Sequence, residues 1–211
     1  AGSAAFEIST PYLEAELFDI KFSQSADIMY ICHPNHAASK LARTGHTSWT
    51  LTEIDFTNGP YLSTNTSTTT LTSSATTTGT GKTLTASASL WATTDVGRLV
   101  RFRNGFGKIT GYTSATVVTW TILSALSDAS ATEDWALGAF SDTSGHPSCV
   151  SFFEQRLVFA GTTDEPQTLY FSKAGDYENM TTGTNADDAM VYTIASNQVN
   201  RIRYLKSVRT L

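Results

Sequence analysis

Apolar residues in this chain recur mostly at every second position, in short runs that stop at turn residues, which is the pattern of β-strands with one buried face. The run ADIMYICHP (residues 26–34) is rich in strand formers and stops at Pro34-Asn35. SKLARTG follows and stops at Gly45. SWTLTEIDF then carries Trp49, Leu51, Ile54 and Phe56 and stops at Asn58-Gly59-Pro60. Strand, turn, strand, turn, strand predicts an antiparallel meander. Helical spacing shows only in PYLEAELF (residues 11–18), with Thr10 placed as N-cap, Pro11 at the first helical position and Glu14 close behind.

A second region, residues 62–137, has a different composition. Between Thr64 and Ser89, 17 of 26 residues are Ser or Thr. Such bias often marks a linker, but threonine's branched Cβ also fits a pleated surface. In KTLTASASLW the alternation of Leu84, Ala86, Ala88 and Leu90 predicts ordered sheet for the second half of the tract. RLVRF and FGKITGY read as a hairpin turning at Asn104-Gly105, and TVVTWTIL as a third strand. Together they predict a small β-barrel inserted into the chain.

From Gly138 the style of the first region returns. SCVSFFEQRLVFAGT holds two apolar runs around Glu154-Gln155, QTLYFSKAGDY a strand ending at Ala174-Gly175-Asp176, and residues 181–188 a polar loop. MVYTIA and RIRYLKSVRTL read as further strands, the last with neither turn nor cap after it. A strand left in mid-pattern needs a neighbour, which points to a longer protein or to Leu211 at an interface. The expected fold is therefore all-β: blade-like antiparallel meanders in residues 1–61 and 138–211, forming one discontinuous platform, with residues 62–137 as the inserted barrel.

Composition narrows the partners. Hydrophobic residues make up 40% of the 211 and charged residues only 16%, so the chain folds and presents a neutral surface. Fourteen basic against nineteen acidic residues leave a net charge of −5, and no global basic field draws the chain to nucleic acid or anionic lipid. No apolar run is long enough to span a bilayer as a helix, the N-terminus lacks the regions of a signal peptide, and residues 1–5 read as a cloning remnant. Cys32 and Cys149 are too few for a disulfide framework, and spacing alone leaves open whether they meet.

Several stretches carry the residue types of a site. TTTGTGKTL (residues 76–84) ends in the Gly-Lys-Thr of a phosphate-binding loop, but Thr76 stands where the first glycine belongs and a strand pattern follows where a helix is needed. In CHPNH, Cys32, His33 and His36 suggest zinc. Neighbours in a strand face opposite ways, no second cluster supplies further ligands, and the expectation is a core cysteine with histidines in a loop. Asp142, His146 and Ser148 have the residue types of a hydrolase triad at unsuitable spacing, without a G-x-S-x-G elbow. Asp176, Glu178, Asp187 and Asp188 read as solvated loop acids rather than a calcium loop. Arg201, Arg203, Lys206 and Arg209 read as the wet side of a strand, and the four tryptophans as core. The expectation is no catalytic, cofactor-binding or metal-ligating residue.

Two long stretches carry a resemblance. FEISTPYLEAELFDIKFSQSADIMYICHPNHAASKLARTGHTSWTLTEIDFTNGPY resembles a segment of large structural proteins of tailed phages and prophages, and FFEQRLVFAGTTDEPQTLYFSKAGDYENM is similar to a second segment of them. These proteins include the tail tubular protein B, or tail nozzle, type of short-tailed phages. DVGRLVRFRNGFGKITGY resembles the small β-barrel called the FCCH domain, first described in ubiquitin-activating enzymes. The resemblance covers most of residues 6–211. It implies a β-propeller-like platform with a barrel insertion, a virion tail as location after assembly in the host cytoplasm, homo-oligomers beside other tail or head–tail connector proteins, and no ubiquitin chemistry. Family members are several times longer, and this chain carries about two blades.

The expected function is thus that of a non-enzymatic virion scaffold without cofactor, membrane or tight nucleic-acid binding. The alternative is a carbohydrate- or host-surface-binding module, an adhesin using the inserted barrel and its Trp91 and Trp120.

Overall fold

A computed structural model describes residues 6–196, 198 and 200–207. Residues 1–5, Arg209 and Leu211 lie outside this range, and so do the readings made for them. The described residues hold fourteen strands: β1 (Lys21–Ser25), β2 (Ile28–His33), β3 (His36–Gly45), β4 (Ser48–Glu53), β5 (Leu71–Ser73), β6 (Gly79–Ala86), β7 (Leu99–Phe102), β8 (Gly105–Ser114), β9 (Val117–Ser124), β10 (Trp135–Leu137), β11 (Cys149–Phe153), β12 (Arg156–Ala160), β13 (Thr168–Phe171) and β14 (Met190–Thr193). The only helical pieces among them are 3-10 turns at Glu14–Asp19 and Thr93–Asp95. The fold class is all-β.

The first of these turns corrects the sequence reading. Its N-cap is Leu13, held extended at φ −82°, ψ 157°, and not Thr10. Leucine offers no capping oxygen, so the Glu16 carboxylate takes the Leu13 amide instead, at 3.0 Å. One short 3-10 turn results where the spacing predicts a helical turn or two, and it begins three residues later than Pro11.

The chain divides into two compact units, residues 1–57 with 145–211 and residues 58–144. The first unit contains two four-stranded antiparallel sheets, β1-β2-β3-β4 and β11-β12-β13-β14, each in plain chain order. That up-and-down order is the one a propeller blade has. Burial is uneven across the sheets: β1 and β4 are half-exposed, whereas the outer strand β11 begins with two buried residues, Cys149 and Val150. All five residues of β12 are buried, as expected of a strand covered on both faces. All four residues of β14 are exposed. Within this unit the sheets meet through aromatic rings: Tyr30 lies 5.9 Å from Phe152, and Phe56 lies 5.6 Å from Phe159, both edge-on.

Residues 201–207, read from sequence as a strand, form none. The physical reason is visible at Arg201, whose guanidinium donates to the Gly161 carbonyl at 2.9 Å, while the Ile202 amide bonds Pro166. These groups are satisfied by loops, not by a ladder.

The second unit is a six-stranded antiparallel sheet, β10-β7-β8-β9-β6-β5, curled into a half-barrel. Segment 129–132 runs between its ends: Leu71 and Thr132 exchange both backbone hydrogen bonds, and the Ser73 amide bonds Ala129. Inward residues alternate as the sequence pattern requires. Val100, Phe102, Val118, Trp120 and Ile122 are buried, and Leu71 and Leu84 join them from the Ser/Thr tract. That tract is therefore ordered over both β5 and β6, although Ala88 and Leu90 fall beyond the strand end. The unit is wider than residues 62–137 because its two ends are knitted together: Leu62 bonds Leu137, and Ala139 bonds Pro60.

The β7–β8 hairpin turns one residue earlier than Asn104-Gly105. Phe102 pairs with Gly105, so Arg103 and Asn104 form the loop, at φ 50° and 63°. Both are left-handed, as a primed hairpin turn demands. Gly105 serves packing instead: a Cβ there would stand 2.5 Å from the Ser124 carbonyl and 2.6 Å from that of Ala125.

Candidate metal centre at the β2–β3 turn

β2 and β3 are joined by Pro34 and Asn35 alone, and His33 pairs directly with His36 across that turn. Residues facing one another at a hairpin's end share a face, so the two imidazoles come together, with ring centroids 5.1 Å apart. Cys32 points the other way and is fully buried, as the alternation predicts. The histidines are not in a loop: they end one strand and begin the next, and His33 is only 1% exposed.

The 3-10 turn supplies the third group. Glu16 Oε2 lies 2.7 Å from His36 Nε2, and Glu16 Oε1 accepts the Asn35 side-chain amide at 3.2 Å. One ligand atom each from Glu16, His33 and His36 lies within 4.8 Å of the others, a set that could hold a metal ion. Tyr12 closes one side, its ring edge-on to His36 at 5.2 Å.

The electrostatics follow from these contacts. The Leu13 amide first, then His36 and Asn35, holds the Glu16 carboxyl down to about 2. Burial pushes the His33 imidazolium below its ordinary range, which keeps the ring neutral. His33 Nδ1 accepts the Asn35 amide at 3.2 Å, while Nε2 is buried with no hydrogen-bond partner among the described residues. A buried polar atom left unpaired costs roughly 1–3 kcal/mol, so it calls for an explanation.

Sequence reasoning found both histidines and missed Glu16. Nothing in PYLEAELF marks one acid over the other; Glu16 is selected because it caps Leu13 and so faces the hairpin. The ligand that sequence could not supply comes from a separate segment.

The other candidates do not assemble. Gly81, Lys82 and Thr83 lie inside β6, where Lys82 pairs with Trp120 and Thr83 with Thr119. No helix opens there, so its amides serve the sheet. The Ser148 hydroxyl donates to the Gly161 carbonyl at 2.9 Å. The loop acids are more engaged than solvated acids would be. Glu178 takes Lys40 Nζ at 2.7 Å on both oxygens, and Asp188 pairs with Lys173 at 3.1 Å. Trp91, Trp120 and Trp135 are buried in the half-barrel, whereas Trp49 lies under the Arg43 guanidinium, 5.8 Å away. Cys32 and Cys149 are both buried free thiols, and burial pushes each of them up.

Tyr30, in the same unit, predicts an alkaline response. Burial, then the Glu178 charge beside it, pushes its phenol up to about 12 from 10.0. The unfolded chain therefore sheds this proton first, and the folded state loses stability as pH rises from 10 toward 12. Urea midpoints should fall over that window in the wild type and fall less in Tyr30→Phe. An equal fall in both would remove Tyr30 from the account.

No protein-family model and no curated protein matches the chain. Among the described residues, no helix is long and apolar enough to cross a membrane.

Proposed function

We propose that this chain is a non-enzymatic structural component of a tailed-phage virion, of the tail tubular protein B type, acting as an oligomeric β scaffold in the tail or head–tail connection. The observation that carries this reading is the order of the sheets. Two four-stranded meanders in plain chain order flank an inserted half-barrel, the layout that the resemblance to those proteins implies. In this reading the meanders are blades of a propeller-like platform and the half-barrel is the FCCH-like insertion.

Assembly has physical support in two surfaces of the first unit. Phe18 is 93% exposed, with Leu13, Leu17 and Phe22 also exposed nearby in sequence. Apolar surface of this kind marks contact with another protein. Among the described residues β14 pairs with β13 alone, and its other edge is open to strand addition. Other tail or connector proteins and further copies of the chain are the partners this favours.

The wall of a DNA channel should hold DNA weakly, because each phosphate neutralised by a basic side chain adds salt-dependent drag. A net charge of −5 and threonine-rich sheets agree with that role. Fluorescence anisotropy with a random duplex at physiological salt should show no saturable binding; saturable, sequence-independent binding would overturn the channel role. Portal and terminase genes beside the reading frame are the expected genomic companions.

The adhesin alternative loses the residues named for it. Trp91 and Trp120 are 4% and 0% exposed, so neither ring face is available to stack on a sugar.

A further inference from the structure

We infer that Glu16, His33 and His36 form a binding site for a divalent transition-metal ion of the zinc class, which clamps the 3-10 turn at Glu14–Asp19 onto the β2–β3 hairpin. Two imidazoles and a carboxylate are the ligand types that zinc and its neighbours prefer, whereas calcium and magnesium demand all-oxygen shells.

Distance supports the assignment. Donor atoms each about 2.0–2.2 Å from a tetrahedral zinc stand roughly 3.3 Å from one another. Here the closest pair, His36 Nε2 and Glu16 Oε2, is 2.7 Å apart, and all three donors lie within 4.8 Å. Separations between 2.7 and 4.8 Å differ from that spacing by no more than about 1.5 Å, within the reach of side-chain rotation at the partly exposed Glu16 and His36. The ion takes the place of the hydrogen now shared by His36 and Glu16, and any proton displaced there goes to water. Three protein ligands leave the fourth position to a water molecule.

The buried, unpaired Nε2 of His33 is an independent observation pointing to the same ligand. His33 is buried among groups that leave this ring half-satisfied, and a metal bond through Nε2 removes the deficit. Coordination through Nδ1 replaces the 3.2 Å contact from the Asn35 amide outright, and coordination through Nε2 moves the ring proton to Nδ1 and breaks that contact. In both cases the Asn35 amide turns to water, which its exposed position permits. The outer shell is already in place: Glu16 is oriented by the Leu13 amide and by the Asn35 side chain. Zinc binding is separate from the scaffold reading and stands without it.

The test uses the full chain, free of any histidine tag and stripped with a chelator, titrated calorimetrically with zinc chloride and, for its visible spectrum, cobalt chloride. One equivalent of zinc should bind, raise the melting temperature, shift the Asn35 amide resonance, and give the intense cobalt bands of a four-coordinate site. Glu16 and His36 are partly exposed, at 16% and 24%, so their variants are the ones to make. Glu16→Gln and His36→Gln should each weaken zinc at least about tenfold while keeping the wild-type circular dichroism spectrum. No binding overturns the site, and so does binding of unchanged strength in both variants, which would assign the ion to Cys32, Cys149 or the other histidines.

Discussion

Trp120→Ala is expected to remove roughly 3–5 kcal/mol from the stability of the half-barrel, the usual loss for a large aromatic taken from a closed core. Trp120 stands mid-way along β9 with no exposed surface, and is among the largest fully buried side chains of the molecule. Its ring meets Phe102 edge-on at 6.4 Å. On the neighbouring strand Gly107 makes room for it: a Cβ at that position would stand 2.6 Å from Trp120 Cε3 and would also strike the Thr121 carbonyl. A site shaped around one ring collapses poorly when the ring is removed, which places the loss at the upper end of the range. Trp120→Phe supplies the contrast. The indole Nε1 has no hydrogen-bond partner among the described residues, so phenylalanine gives up volume but no hydrogen bond, and should lose less than half as much. Urea unfolding by circular dichroism, with hydrogen exchange of the β8 and β9 amides, reads both variants. A Trp120→Ala loss below about 1 kcal/mol would mean that the core is not organised around this residue.

Arg156→Met is expected to have a comparable effect in the first unit, roughly 3–5 kcal/mol, because charge-assisted bonds to buried acceptors are lost together. Arg156 is 6% exposed at the start of β12. Its Nη1 donates to the carbonyls of Ser172 at 2.7 Å and Asp188 at 2.6 Å, and its Nη2 to that of Ala186 at 2.5 Å. One guanidinium thus fastens the polar loop of residues 181–188 to the end of β13 and sets where β14 begins. Methionine fills much of the space, but leaves the Ser172 and Asp188 carbonyls buried without these donors. Arg156→Lys keeps the charge without the planar fork and should recover only part of the loss. Hydrogen exchange should show the Ala189 amide, bonded to Thr181, losing protection before the amides of β11 and β12. Equal loss across the whole sheet, or none at residue 189, would contradict the fastening role.

Both positions illustrate how differently residues declare themselves in the chain. Trp120 was legible because TVVTWTIL alternates, and period-two alternation places every second side chain on one face whatever the neighbours are. Arg156 was not. It sits in QRLVFAGT as a polar flank to an apolar run, and its buried role depends on carbonyls contributed from residues 172 and 186–188. Asn-Gly is a strong hairpin signal, and on sequence alone it marks Gly105 as a turn residue. The register moved the turn onto Arg103 and Asn104, and the packing of the Ser124 and Ala125 carbonyls took over the need for glycine.

The metal centre divides in the same way. His33 and His36 were visible as a pair, and the Pro34-Asn35 turn between them was visible too. Strand alternation correctly set Cys32 apart from His33, but the same rule hid the fact that a two-residue hairpin folds His36 back onto His33. Glu16 was beyond reach, since a leucine N-cap that recruits a carboxylate has no signature in one dimension.

What the sequence by itself determined is the all-β class, the positions of most strands, the alternating cores and the presence of an inserted region of distinct composition. These follow from local periodicity and turn chemistry, which act over a few residues and survive in any context. What only the tertiary structure decided is which strands are neighbours, where the units divide, that Arg201 and Ile202 bond loops instead of a sheet, and that a glutamate from a short turn meets two histidines. Each of those depends on contacts between segments far apart in the chain, where free energy is decided by which buried polar groups find partners.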